Sequence, residues 1–89
     1  MNADPVEEVI LHLLFERGVA KSICPTEAAR ALAGNPKDES WRAKLSPVRL
    51  AARRLAQAGR IEILHKGKPV APEAARGVLR LRLAPGQAR

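Results

Sequence analysis

Aromatic residues are almost missing from this 89-residue sequence, which contains one tryptophan, one phenylalanine and no tyrosine. This scarcity argues against a face of stacked aromatic side chains, as used by RNA-recognition sheets and single-strand-binding grooves. Cysteine occurs once, so no intramolecular disulfide can form, which fits a reducing cytoplasm. No apolar run reaches the length of a membrane span, and the first residues do not have the pattern of a signal peptide. We therefore expect a cytoplasmic protein with no membrane partner.

Acidic residues are scarce in the second half of the chain. Residues 1–40 carry four basic and seven acidic side chains, a balance of −3, whereas residues 41–89 carry twelve basic and two acidic ones, a balance of +10. This asymmetry indicates that the C-terminal half faces a polyanion. A simpler explanation is that the charge only keeps the protein in solution.

One basic helix organises the rest of the sequence, and it has its own start and stop signals. Ser46 is suited to cap it, Pro47 to its first position and Gly59 to the left-handed residue that follows its last turn. Apolar residues recur at helical spacing along one face, namely Val48, Ala51, Ala52 and Leu55. The polar side carries three arginines, and no acidic residue lies in the segment. This pattern favours an anionic partner.

Shorter elements surround this helix. The patterns predict a helix over 4–18, an extended segment at 19–23, a helix over 25–34, a helical turn at 41–45, and two paired strands near 61–64 and 78–83 joined by a long basic loop. That order is typical of a winged-helix domain. We therefore predict an α+β fold, a winged helix-turn-helix with three main helices and a small antiparallel β-hairpin wing. It forms a single domain over 1–89, in which 84–89 are a flexible tail.

Several short segments are similar to those of a known family. They are Lys21-Ser22-Ile23-Cys24-Pro25, Trp41-Arg42, Val48-Arg49, Gly59-Arg60-Ile61-Glu62-Ile63 and Lys66-Gly67-Lys68-Pro69-Val70. In these segments the chain resembles a family of small bacterial proteins that is catalogued as a domain of unknown function and associated with winged-helix-like folds. The resemblance covers nearly the whole chain. It implies a winged-helix-like fold and a bacterial origin, and it carries no established activity.

The basic helix and the basic loop together predict an interface for double-stranded DNA. In and just after the helix, the candidate base-reading residues are Arg49, Arg53, Arg54, Gln57 and Arg60. Arginine reads guanine edges bidentately in the major groove, and glutamine reads adenine. In the loop, the candidate phosphate contacts are Lys66, Lys68 and Arg76. Phosphate contacts position a protein on DNA without reading its sequence.

Catalysis and metal binding have no supporting pattern. The chain shows no nucleophile–base pair, glycine-rich phosphate loop or pair of carboxylates, and His12 and His65 lack a second ligand at metal spacing. We therefore expect neither enzyme activity nor a cofactor. Cys24 precedes the helix that begins at Pro25, where backbone N–H groups favour a reactive, redox-sensing thiolate. The interpretation that we favour for Cys24 is a small residue that fills a tight corner, because free cysteines are usually buried.

The first helix predicts more apolar surface than one small core can bury. Leu11 and Phe15 lie one turn apart, away from the stripe formed by Val6, Val9, Ile10, Leu13 and Leu14. Either another part of the chain covers them, or a second copy packs against them to form a homodimer about a two-fold axis.

The function that these patterns favour is binding of double-stranded DNA in transcriptional control. Two other functions stay open, because a fold by itself does not fix function. One is a protein–protein interaction module built on the same fold, in which the basic face is only a solvated surface. The other is an RNA-binding accessory factor.

Overall fold

The computed structural model describes residues 4–18 and 20–86. Within them the chain forms three α-helices, four strands and two short 3₁₀ helices. The helices are α1 (Pro5–Arg17), α2 (Pro25–Leu32) and α3 (Leu45–Gln57), and the strands are β1 (Ser22–Ile23), β2 (Ile61–His65), β3 (Lys68–Val70) and β4 (Leu79–Leu83). The 3₁₀ helices are η1 (Ser40–Lys44), directly before α3, and η2 (Pro72–Ala74), between β3 and β4.

The start of α3 differs from the prediction. The helix begins at Leu45, directly after η1, and Lys44 occupies the cap position without a side-chain hydrogen bond. Ser46 therefore lies inside the first turn and does not cap the helix. Pro47 is the third helical residue, where its missing N–H removes no intrahelical hydrogen bond because the first four N–H groups of a helix have none.

The end of α3 confirms the prediction for Gly59, which has a φ of +76°. Its N–H donates to the carbonyl of Ala56 at 3.0 Å, and the N–H of Arg60 donates to the carbonyl of Leu55 at 2.9 Å. These two bonds form a Schellman motif, whose left-handed residue is favourable only for glycine or asparagine. Residue 61 then begins β2, so the basic helix runs directly into the sheet.

The sheet is antiparallel, with the strand order β1-β4-β2-β3. The predicted pairing of the two longer strands is confirmed, with Ile61 opposite Leu83 and Ile63 opposite Leu81. The connection between them is not a simple loop, because it contains β3, which pairs with β2. Lys66 and Gly67, at φ values of +53° and +81°, reverse the chain in two residues, which matches a type I′ hairpin turn. Pro69 obscured this strand in the sequence, since proline is tolerated only at sheet edges, and β3 is an edge strand.

The core lies between the three helices and one face of the sheet. The predicted stripe of α3 is confirmed, because Val48, Ala51, Ala52 and Leu55 are all buried. They pack with Ile10 and Leu14 of α1, Ile23 of β1 and Leu81 of β4.

Trp41 of η1 closes one edge of this core. It is only 6% exposed. The guanidinium carbons of Arg30 and Arg42 lie 4.5 and 4.8 Å from its ring centre, so two cations cover the indole.

The outward side of α1, where Leu11 and Phe15 are predicted to lie away from the core, differs in part from the prediction. Leu11 is half-buried and packs against the core, so its assignment away from the core was wrong. Phe15 is 39% exposed. Of the predicted core stripe, Ile10 and Leu14 are fully buried, and Val6, Val9 and Leu13 are partly so. The homodimer through Leu11 and Phe15 stays a prediction.

The predicted α+β class is therefore confirmed. Three helices on a four-stranded antiparallel sheet are compatible with a winged-helix-like fold. At the end of β4, the N–H of Ala84 donates to the carbonyl of Arg60 at 3.1 Å, so the predicted tail begins at a residue that is bonded to the sheet. Residues 87–89 of that tail lie outside the described residues.

Candidate nucleic-acid interface

The outer face of α3 is the side turned away from the core. It consists of Arg49, Leu50, Arg53 and Gln57, all of which are exposed. The helix is held from behind by α1, α2 and β2. These side chains are therefore presented from a fixed backbone, which a precise contact with a base edge requires.

Arg49 and Arg53 both lie on this exposed face, and their role in base reading stays a prediction. In the part of the chain that the structure describes, neither forms an ion pair with a carboxylate. Both line a narrow crevice between α3 and the segment that contains Ala75 and Leu79. Arg49 also borders a groove of about 280 Å³, which Val78 lines as well. Two positive charges thus lie where α3 meets the segment before β4.

Arg54 differs from Arg49 and Arg53, because it is paired with carboxylates at the start of α1 and is therefore less suited to the base-reading role that the sequence predicts. Its Nε donates to Glu7 at 2.8 Å, and its Nη2 donates to Asp4 at 2.9 Å. The hydrogen bond to Glu7, together with the charge of Asp4, raises the pKa of Arg54. Asp4 also caps α1, since its Oδ1 accepts from the N–H of Val6 at 2.8 Å. Arg54 therefore joins α3 to the start of α1.

Two further predicted residues lie at the end of α3. Gln57 is its last residue and is exposed, within reach of the same surface as Arg53 at i+4. Arg60 comes after the helix, and its main chain is part of the Schellman motif. It therefore lies at the joint between α3 and β2 and not on the helical face.

The three predicted phosphate contacts divide between two places. Lys66 lies in the β2–β3 turn (Lys66 and Gly67), and Lys68 begins the edge strand β3. Arg76 follows Ala75, which lines the crevice beside Arg49 and Arg53. All three are exposed, and among the described residues none forms an ion pair. Val78 lines both the groove of Arg49 and a second groove with Lys66, and so lies between α3 and the turn.

Other arginines of the basic half hold the sheet together. Arg80 donates to the hydroxyl and the carbonyl oxygen of Ser22, at 2.6 and 3.0 Å. Arg82 donates from its Nε to Glu62 on the neighbouring strand at 3.0 Å. The large positive balance of residues 41–89 is therefore not all available to a partner.

The segment between α1 and α2 is held by a polar network. Arg17 donates to the carbonyl of Ser22 at 3.1 Å and also binds Glu27. Glu27 in turn accepts from the N–H of Cys24 at 3.2 Å. Partial burial opposes the charge on Glu27, but the hydrogen bonds from Arg17 and Cys24 outweigh it and lower the pKa of this carboxyl. This network explains the fixed course of the Ser22–Pro25 segment.

Cys24 precedes α2 and is half-buried. Its Sγ lies 2.6 Å from the hydroxyl oxygen of Thr26. It borders the groove that Arg49 and Val78 also line. These contacts are those of a small residue packed at a helix start, and a redox role for the thiol stays a prediction.

The two histidines are engaged separately. His12 lies 3.4 Å from Glu16 on α1, and the Nδ1 of His65 lies 3.2 Å from the carbonyl oxygen of Val78. Within residues 4–18 and 20–86, no group of three or more His, Cys, Asp or Glu side chains is arranged to hold a metal ion.

Sequence reasoning missed one residue of the outer face. Leu50 is 57% exposed. It lies three residues before Arg53 and four after Ser46, so it shares their side of the helix. The helical period predicts that Leu50 lies opposite the Val48–Leu55 stripe. An apolar residue, however, has none of the charge or amide chemistry that marks a candidate contact to DNA.

Comparison with known proteins gives a family and no activity. In the described part of the chain, no helix combines the length and the apolar character needed to cross a membrane. No curated protein matches this sequence. The model of one family, described as "Protein of unknown function (DUF3253)", matches residues 3–84. The chain therefore belongs to the DUF3253 family of proteins of unknown function.

Proposed function

We propose that this protein binds double-stranded DNA, with the outer face of α3 in the major groove and the β2–β3 turn against the phosphate backbone. The observation that carries the proposal is the pair of exposed arginines, Arg49 and Arg53, on a helix that the core holds rigidly. Neither has a carboxylate partner among the described residues, although other arginines of the chain do. A helix of this diameter fits the major groove of B-form DNA.

The second half of the interface consists of Lys66, Lys68 and Arg76. Phosphate contacts of this kind supply affinity that does not depend on sequence. Because Arg76 lies next to the crevice of Arg49 and Arg53, it extends the positive surface beyond the helix. We propose transcriptional control as the process that such binding serves.

The test measures the affinity of the folded protein for a random-sequence DNA duplex at a series of salt concentrations. Five cations at the interface predict a log–log slope of about −4 to −5 for affinity against salt. The same protein is titrated with double-stranded RNA of equal length. We expect weaker binding to RNA, because the deep, narrow major groove of an A-form helix does not admit α3.

Three results have distinct meanings. Binding to DNA with a steep slope supports the proposal. Equal or tighter binding to the RNA duplex would replace it with the RNA-binding alternative. No binding at low salt, with the helical circular-dichroism spectrum intact, would overturn nucleic-acid binding and redirect the search to a protein partner.

A further inference from the structure

Three large apolar side chains are exposed in the described residues: Phe15, Leu50 and Val78. An isolated exposed leucine needs no explanation in general. Leu50, however, lies in the middle of the outer face of α3, flanked by Arg49 and Arg53. An apolar side chain therefore lies at the centre of a positively charged surface.

The other side chains of that surface cover most of the chemistry used to read base pairs. Arginine recognises the two acceptors of guanine, and glutamine recognises the acceptor and donor of adenine. The remaining feature of the major groove is the C5-methyl group of thymine, which only an apolar side chain recognises well. On α3, Leu50 is the exposed side chain with that property.

The placement of Leu50 within the helix also suits a base contact. It is the sixth residue of α3, counted from Leu45, and helices of this kind contact base edges with their N-terminal part. Leu50 and Arg53 are at positions i and i+3 of the helix, so their side chains are neighbours on the surface. A base pair read by Arg53 and a thymine beside it would therefore be adjacent or nearly so in the DNA.

We propose that Leu50 selects thymine in the target DNA by packing against its C5-methyl group. This inference rests on the proposed DNA binding and adds a specificity determinant to it. Burial of one methyl group is worth about 0.8 kcal/mol, which corresponds to about a fourfold change in affinity. Leu50 therefore tunes sequence preference and contributes little to affinity for random DNA.

The experiment begins with selection of a preferred duplex from a random pool by the wild-type protein. Each thymine of that duplex is then replaced singly by deoxyuridine, which differs only in the absence of the C5-methyl group. We expect one position at which the wild type binds about fourfold more weakly after replacement. At that position, Leu50→Ala should bind the thymine and deoxyuridine duplexes equally.

Phe15→Ala is the matched control, because Phe15 is exposed and apolar but lies on α1, outside the candidate interface. It should keep the wild-type preference for thymine over deoxyuridine. Leu50 is largely exposed, so Leu50→Ala should fold normally, which circular dichroism checks.

The other outcomes separate this inference from the proposed function. Three results would overturn the role of Leu50 and leave DNA binding in place. The protein binds DNA without any sequence preference, its preferred duplex has no methyl-sensitive position, or Leu50→Ala shows the same methyl sensitivity as the wild type. Loss of the preference in Phe15→Ala as well would show that the effect is not specific to α3, and also overturns it. No binding of the wild type to any duplex overturns both proposals.

Discussion

Arg53 and Arg54 are neighbours on one helix, yet the structure gives them opposite environments. Arg54 is bound to Glu7 and Asp4, which lie 47 and 50 residues earlier in the chain. Arg53 is exposed and has no ion-pair partner in the described residues. One step along a helix rotates a side chain by about 100°, which is enough to turn it from the α1 side to the solvent side. A run of basic residues on a helix can therefore contain some charges that form ion pairs within the fold and others that are exposed to a binding partner.

The same division applies to the two halves of the chain. The acidic N-terminal half supplies the carboxylates of Asp4, Glu7 and Glu39 to arginines of the basic half. Part of the charge asymmetry is thus neutralised across the fold. The positive charge that remains available to a binding partner is concentrated on α3, the β2–β3 turn and the segment near Arg76.

The largest effect is expected on the free energy of unfolding, when the core packing that holds the helix of Arg53 and Arg54 is removed. Leu55→Ala takes a buried side chain from the core face of α3, and we expect a loss of about 2–5 kcal/mol in the free energy of unfolding. Leu50→Ala is the control on the same helix and should change it by no more than about 0.5 kcal/mol. Urea denaturation followed by circular dichroism measures both. A loss below about 0.5 kcal/mol for Leu55→Ala would contradict the packing described above.

The comparison itself is tested by Arg53→Ala and Arg54→Ala. We expect Arg53→Ala to weaken binding to a selected duplex about tenfold, the typical value of one arginine–base contact, with no change in melting temperature. Arg54→Ala should lower the melting temperature, because Asp4 and Glu7 lose their partner, and should change DNA affinity by less than about twofold. Gel-shift titrations and thermal melts of both variants provide the two measurements. The reverse pattern would assign base reading to the wrong arginine.

A smaller effect is expected in the β2–β3 turn. Lys66→Ala and Lys68→Ala should weaken binding to all sequences alike, and each should make the salt slope shallower by about one. Lys37→Ala removes an exposed charge from the connection between α2 and η1 and serves as the control. An equal change of slope in Lys37→Ala would show that net charge alone drives the interaction.

The smallest effect concerns a second structural arginine. Glu27→Gln removes the charge that Arg17 pairs with, and should lower the melting temperature at neutral pH. Because the pKa of Glu27 is lowered in the folded protein, its contribution is present above the ordinary glutamate value of about 4.3 and is lost as the pH falls through the folded value. The melting temperatures of wild type and variant should therefore converge as the pH is lowered below the ordinary glutamate value. A constant difference across that range would contradict the assignment.

Local rules predicted much of the fold. The buried stripe of α3, the left-handed Gly59 and the pairing of β2 with β4 each depend on residue periodicity or on one backbone requirement. Ser46 failed as a cap because η1 continues directly into α3, which begins one residue earlier at Leu45. β3 was missed because Pro69 disfavours a strand everywhere except at an edge, and edge positions are known only after the sheet is assembled.

The candidate interface was less predictable for a related reason. Helical spacing correctly put Arg49, Arg53 and Gln57 on exposed positions. It could not show that Arg54 meets Asp4 and Glu7, because that contact depends on the docking of α1 against α3. Leu50 was overlooked because an exposed leucine has no signal of its own until its neighbours are known.

The position of Trp41 has a spectroscopic consequence. It is the single tryptophan of a chain without tyrosine, so nearly all near-ultraviolet absorption and emission of the protein comes from one indole. In the native state that indole is buried, and the guanidinium groups of Arg30 and Arg42 lie against its ring. Its emission should therefore be blue-shifted and poorly quenched by acrylamide, and should move to the red when η1 separates from α2. Each variant described above can thus be checked for the integrity of the α2–η1–α3 unit without any added label.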